Sequence, residues 1–386
     1  MVRRNFWLKR LESAWGRGPI VRLVGQRGVG KTSLCQSIPG IEYFNCELPR
    51  IRRQFEDPEK FLRKLRRRKI ALDEFHRLPD PAEVLKIATG RFPSLKVITT
   101  GPVSFRSSSL GLDSLAEKTT QVWLTPMMSR DLVDFGNSDL GNRLLRGGLP
   151  SFFLNNKQPE SDFQEWLDSI WVKDIQEPFH LESRDSFQRF VALLFRQSGQ
   201  LFEASRFTEP CEVSRPTITK YLSALEATGA AQILRPFSTQ RSVEIISIPK
   251  VYAFDTGFFC YYRGWQQLRE DDFQVLWKHW VLNELLSYLQ VPLVQYWRDK
   301  RGHGVDFVLI LREKGITAII GQWRAHEFSP QDLQAFRYHY PDGPNWIVCP
   351  DVKQRYTQSF GDLRVEFINP EEMGRRLSAQ GSISPA

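Results

Sequence analysis

Ile20-Val-Arg-Leu-Val-Gly-Gln-Arg-Gly-Val-Gly-Lys-Thr-Ser-Leu34 is the stretch on which the reading of the whole chain turns. Its apolar start, Ile20 to Val24, predicts a buried strand, and Ser33 onward predicts a helix. Between them the residues fit G-x-x-x-x-G-K-[ST], with Gly25, Gly30, Lys31 and Thr32 in the fixed places. Such a loop wraps its backbone N–H groups around a phosphate because glycine permits conformations that a Cβ forbids. The following helix adds the positive end of its dipole. The loop therefore predicts a nucleotide site for ATP and Mg²⁺, with Gly25, Gln26, Arg27, Gly28, Val29, Gly30, Lys31, Thr32 and Ser33 as the cradle. Lys31 would neutralise the β- and γ-phosphates, and the Thr32 hydroxyl would be a magnesium ligand.

Working outward, Ile70-Ala-Leu-Asp-Glu predicts a short strand ending in two acids. In that setting Asp73 would hold Mg²⁺ and Glu74 would orient and activate the attacking water. A further strand, Leu95 to Gly101, ends in hydroxyls. It is expected beside the Asp73 strand, with Thr100 sensing the γ-phosphate. Strands alternating with helices in this way imply an α/β fold with a parallel sheet.

The rest of the chain changes character. Phe55 to Lys69 reads as a helix with Phe61, Leu62 and Leu65 on one face and Arg63, Lys64, Arg66, Arg67 and Lys69 on the other. That basic face suits either solvent or a phosphate backbone. Residues 213–226 predict a helix capped by Ser214, with Ile218, Tyr221, Leu222 and Leu225 inward. Arg215, Thr219 and Lys220 would face outward, and two β-rich runs around Arg241 follow. Helix, turn, helix and β-wing is the order of a winged helix, so these four residues are the candidate DNA contacts. A helix over 273–289 and three strands between 293 and 323 are expected near the end.

Bulk properties narrow the function classes. The chain has 386 residues, 27 Phe and 11 Trp, enough for two or three cored domains. Five scattered cysteines show no paired spacing, which fits a reducing, cytoplasmic setting and argues against a disulfide framework or a zinc site. No apolar run approaches the roughly 18 residues that read as a membrane span, and the first residues do not read as a signal peptide. The formal net charge of +9 makes DNA a plausible partner.

These residues together resemble the prokaryotic AAA-type ATP-binding proteins that carry a winged helix and a C-terminal domain similar to the PD-(D/E)xK nuclease fold. The resemblance rests on Gly25 to Thr32, Leu72 to Pro79, Thr100-Gly101, Gly147-Gly-Leu-Pro150 and Lys173-Asp-Ile175. It continues with Thr217 to Leu222, Lys250 to Gly257, Tyr296-Trp-Arg298 and Val305 to Val308. It implies a P-loop NTPase (AAA-type) core over 1–145, a helical lid over 146–185, a winged helix over 186–250 and a C-terminal α/β nuclease-like domain over 251–376. A disordered tail over 377–386 would complete the chain. The resemblance also implies a homo-oligomer or partner protein that completes the nucleotide site.

The sequence departs from that family at three places. A Gly-Arg pair that supplies an arginine to a neighbouring site reads Glu117-Lys118 here, leaving Arg106 and Arg130 as substitutes. A glutamate beside Trp277 is Lys278. The nuclease Glu-x-Lys reads Gly321-Gln-Trp323, so Asp306 is expected to pair with Arg298 and the nuclease scaffold to be inactive. The expectation is a Mg-dependent ATPase associated with DNA, slow without oligomer or partner. The alternative is a nucleotide-gated DNA-binding switch in which hydrolysis is secondary.

Overall fold

The computed structural model describes residues 2–101, 113–155, 160–238, 248–291, 293–311 and 315–379. Five strands, β1 (Ile20–Val24), β2 (Ile41–Asn45), β3 (Lys69–Asp73), β4 (Lys96–Gly101) and β5 (Thr119–Trp123), form one sheet in the order β2-β3-β4-β1-β5. Every pairing in it is parallel. Parallel strands need crossovers and are covered on both faces, which is why β1 is buried at all five positions. The sheet brings the carboxyl ends of β1, β3 and β4 to one edge, where ligands of open α/β sheets bind.

A separate short helix, Pro49–Gln54, comes first, and of the expected helix over Phe55–Lys69 only Pro58–Arg63 is helical. Asp57 caps the second by accepting from the Lys60 N–H, and Pro58 fits its first turn, so the chain restarts there. Lys69 belongs to β3 and pairs with Glu12 of the helix Asn5–Trp15.

Helices over 140–179 follow, interrupted by a π-turn at Trp171–Ile175. Residues 184–253 then run helix (Arg184–Arg196), β6 (Gln200–Leu201), helix (Ser205–Cys211), helix (Arg215–Ala227), β7 (Ala231–Leu234) and β8 (Lys250–Ala253). The three strands form an antiparallel sheet in the order β6-β8-β7. Ser214 caps the third helix, and Ile218, Tyr221, Leu222 and Leu225 are its buried face. Residues 243–247 of the expected strand and Arg241 lie outside the described residues, as does Arg106.

The last part holds the helix Glu270–Leu289 and a mixed sheet of β9 (Gln295–Arg298), β10 (Gly304–Leu311), β11 (Gly315–Gly321), β12 (Asn345–Val348), β13 (Tyr356–Phe360) and β14 (Leu363–Ile368). Its order is β13-β14-β12-β11-β10-β9. A helix Pro370–Ser378 closes the described chain and runs past the expected start of the tail, whose residues from 380 onward are outside the described set. One apolar core runs from Trp7 to Leu377, so the three sheets share packing. No described helix is long and apolar enough to cross a membrane.

Candidate functional site

The phosphate loop leaves the end of β1 at Gly25, where a Cβ would stand 2.3 Å from the Leu124 carbonyl oxygen. It ends at Gly30 with φ +95°, a conformation that favours glycine. A cavity of about 260 Å³ opens over the loop, lined by Gly25, Arg27, Gly28, Gly30, Lys31, Thr32 and Glu74. Ile170, Asp174 and Thr228 close it from the other side. The other loop side chains turn away. Gln26 is buried and donates to the Gly229 carbonyl at 2.9 Å, Val29 lies in the core, and Ser33 is exposed outside the lining.

Lys31 Nζ donates to the loop's own carbonyls, Gly25 at 2.7 Å and Gln26 at 3.1 Å. Burial pushes its pKa down, while the charges of Glu74, Asp174 and Asp73 pull the other way. Thr32 Oγ1 donates to Asp73 Oδ2 at 2.7 Å, joining the start of the helix Lys31–Gln36 to the end of β3. Thr100 donates to the other carboxylate oxygen, Asp73 Oδ1, and accepts the Glu74 N–H at 3.0 Å. Thr100 thus sits behind the two acids and holds them. It does not line the cavity.

Glu74 has φ +51°, which a side-chain-bearing residue adopts at a cost of about 1–3 kcal/mol. The turn swings its carboxylate off the strand and into the cavity. Burial raises its pKa, opposed by Lys31, which suits a group that must take a proton from water. His76 Nδ1 lies 3.5 Å from Glu74 Oε2, and burial pushes the imidazole down to about 4.

Sequence reasoning missed three contributors. Tyr43 on β2 donates to Asp73 Oδ2 at 2.5 Å, so three hydroxyls share one carboxylate. The signal was available in strand order, since Tyr43 lies two positions from the end of a strand pairing with β3. Arg4 ties the loop from outside, donating to the Val29 carbonyl at 2.8 Å while its fork grips Asp131. Asp174, present in the sequence only as part of a family motif, enters the cavity from the π-turn and pairs with Arg27 at 3.3 Å.

Lys118, at the family's arginine position, and Arg130, one of its two substitutes, are among the described residues. Lys118 is exposed and precedes β5 at the end paired with Ile20, the far end of β1 from the loop. Arg130 is outside the cavity lining, beside the Tyr288 phenol, which holds its pKa up.

The three described candidate DNA contacts lie on the helix Arg215–Ala227. Arg215 and Thr219 are exposed, and Lys220, also exposed, donates to the His180 carbonyl at 3.0 Å. That helix ends beside Thr228, a cavity-lining residue.

The corner expected to be nuclease-like differs from expectation in one respect. Asp306 pairs with Lys278 at 2.7 Å, not with Arg298, and accepts the Gly321 N–H at 3.2 Å. Two of the departures therefore meet at one carboxylate, because the helix Glu270–Leu289 lays Lys278 across β10 and β11. An ammonium replaces the second carboxylate that a divalent ion needs. Among the described residues no three His, Cys, Asp or Glu side chains converge to hold a metal.

Residues 17–133 match the family model of the AAA domain. That match spans the phosphate loop and the five-stranded parallel sheet. Residues 137–269 match a domain of unknown function (DUF8612). The chain is similar to the uncharacterized proteins Rv2008c of Mycobacterium tuberculosis and Mb2031c of Mycobacterium bovis, each 27% identical over 323 residues. Each alignment covers 81% of this chain and 72% of the relative. Among solved structures it is similar to the Walker-type ATPase PABY2304 of Pyrococcus abyssi, at 17% identity and TM-score 0.42, covering 68% of this chain and 96% of that one. A second is the STAND protein PH0952 with a tetratricopeptide repeat sensor from Pyrococcus horikoshii, at 13% identity and TM-score 0.28, covering 73% and 46%.

Proposed function

We propose that this protein is a Mg-dependent, ATP-binding AAA-type ATPase that works in association with DNA and turns over slowly until an oligomer or partner completes its site. The observation that carries the reading is the convergence of Lys31, Thr32 and Glu74 on one cavity, with Thr32 bonded to Asp73 at 2.7 Å. A hydroxyl and a carboxylate at that separation are hard oxygen donors, and magnesium keeps several of its own waters, so two protein ligands suffice. When bound, Mg²⁺ would neutralise charge on the β- and γ-phosphates.

The chain's own groups then divide the work. Lys31 turns from the Gly25 and Gln26 carbonyls to the phosphates. Glu74 takes a proton from water as the water oxygen bonds to the γ-phosphorus. The bond to the bridging oxygen breaks, leaving its electron pair on the β-phosphate of ADP. Thr100 keeps both acids in place. The domain boundaries proposed are 1–145, 146–185, 186–250 and 251–376, with 186–250 a winged helix and 251–376 an inactive nuclease-like scaffold.

The test is nucleotide binding and phosphate release in three proteins. Lys31→Ala should abolish ATP binding, whereas Glu74→Gln should keep binding and lose turnover by about 10²-fold or more. Normal ATP affinity in Lys31→Ala would remove the site from consideration.

A second reading, a nucleotide-gated DNA-binding switch, is favoured by one contact. Gln26 of the loop bonds Gly229, directly past the helix that carries Arg215 and Thr219.

A further inference from the structure

Arg27 has no part in the catalytic scheme above, yet it lines the cavity with Lys31, Thr32 and Glu74. Its backbone is anchored, because Trp166 Nε1 donates to the Arg27 carbonyl at 3.0 Å. Its side chain is held through one edge of the guanidinium, Nε to Asp174 Oδ2 at 3.3 Å. Asp174 is almost sealed from solvent, with 8% of its side chain exposed, and stands on a π-turn, a widening of the helix that recurs at functional sites. Arg27 is thus held at its backbone by Trp166 and at its guanidinium by one buried carboxylate.

The γ-phosphate end of the cavity is marked by Glu74, and the charges of Lys31 and Arg27 both act on that carboxylate. The transferring phosphoryl group spreads its charge over three oxygens, which a planar guanidinium meets with paired hydrogen bonds and a lysine does not. Lys118 lies at the opposite end of the sheet, and Arg130 is directed to Tyr288.

We propose that Arg27 leaves Asp174 for the γ-phosphate when a nucleoside triphosphate enters, so that the phosphate loop supplies its own transition-state arginine, with Asp174 as the residue that holds it beforehand. This rests on the ATPase reading. The swap has a sign: Asp174 competes with the γ-phosphate for Arg27, so it weakens triphosphate binding relative to diphosphate.

The test uses the full chain with Mg²⁺ in four forms: wild type, Arg27→Ala, Arg27→Lys and Asp174→Asn. Affinities for ATP, ADP and ADP with aluminium fluoride, a mimic of the transferring phosphoryl group, are measured beside single-turnover phosphate release. Arg27→Ala should hold ADP within about threefold of wild type, lose the added grip on the aluminium fluoride complex, and release phosphate about 10³-fold more slowly. Arg27→Lys keeps the stem and the charge but should stay slow. Asp174→Asn should tighten ATP relative to ADP several-fold. Phosphate release within threefold of wild type in Arg27→Ala overturns the proposal. Equal loss of ADP and ATP affinity in that variant also overturns it, because it indicates a role in loop shape alone. An unchanged ATP-to-ADP ratio in Asp174→Asn overturns the holding role. A wild type that binds neither nucleotide refutes the ATPase reading itself, and that result precedes any variant.

Discussion

Glu284 is a carboxyl sealed in the interior, and its environment sets how the fold responds to pH. Its oxygens accept the Ser129 N–H at 2.6 Å and the Ser129 hydroxyl at 3.1 Å. Those bonds do not offset burial, which pushes its pKa up to about 7. The folded state therefore holds a proton that the unfolded chain releases near pH 4.5. This contribution is fully present below about pH 4.5 and is lost as pH rises through 7. A shift of that size corresponds to about 3 kcal/mol. His279, buried and pushed down to about 4, acts oppositely, since it must stay neutral while the unfolded imidazole protonates near 6.5. The two overlap, so the wild-type profile alone cannot isolate either. Glu284→Gln can, because a glutamine oxygen accepts the Ser129 N–H and its amide donates to the hydroxyl. The stability of wild type minus variant, from urea unfolding, should fall by about 3 kcal/mol between pH 4.5 and 7 and level off above. A flat difference would mean that Glu284 ionises freely in the fold.

Among the elements, the turn at Gly147-Gly148 brings two motifs far apart in the chain into contact. Gly147 has φ +87°, and a Cβ there would lie 1.9 Å from Asp255 Oδ1. Asp255 accepts the N–H groups of Gly148 at 2.6 Å and Gly257 at 2.9 Å, capping the helix Thr256–Arg263. It also neutralises Arg143 at 3.8 Å, which is wholly buried over the Trp280 ring. Gly147→Ala must push Asp255 away and strand Arg143, at a cost of about 3–5 kcal/mol in chemical denaturation. A loss under about 1 kcal/mol would show that the turn relaxes without disturbing the pair.

The strands β1, β3 and β4 were legible as apolar runs because buried parallel strands carry few polar residues, and their polar ends marked the site edge. What was illegible has physical causes. The helix ends at Arg63 and the chain turns over 64–68, although the apolar spacing of Phe61, Leu62 and Leu65 still looked helical. Tyr43 and Asp174 reach Asp73 and Arg27 only through tertiary packing, to which no local spacing corresponds. Lys278 and Asp306 were readable as departures one by one. Their contact requires the helix Glu270–Leu289 to cross the sheet, which neither residue announces.

The whole molecule joins its parts through contacts made at the loop end of the phosphate-loop core, where Trp123 pairs with Val24. Gln290 exchanges two hydrogen bonds with Trp123, at 2.8 and 2.9 Å, and so docks the end of the long helix onto the free edge of β5. Arg10 donates to the carbonyls of Ser287 and Tyr288 at that same helix end. At the same end Gln26 donates to Gly229 at 2.9 Å, and Thr228 lines the loop cavity. The helix with exposed Arg215 and Thr219 ends at that contact, so the nucleotide loop and the candidate DNA face share one rigid element. If nucleotide and DNA both favour one arrangement of that element, their affinities must be linked reciprocally, typically by about 5- to 150-fold. Duplex binding, followed by anisotropy across a salt series with and without a non-hydrolysable ATP analogue, measures the factor and separates it from the counterion term. Gln26→Ala should keep ATP affinity within about threefold while bringing the linkage factor toward unity. Arg215→Ala should weaken DNA binding at every nucleotide state and make its salt dependence shallower. Linkage that survives Gln26→Ala would mean that the signal travels through another contact, and equal DNA affinity with and without nucleotide in wild type would remove the gate altogether.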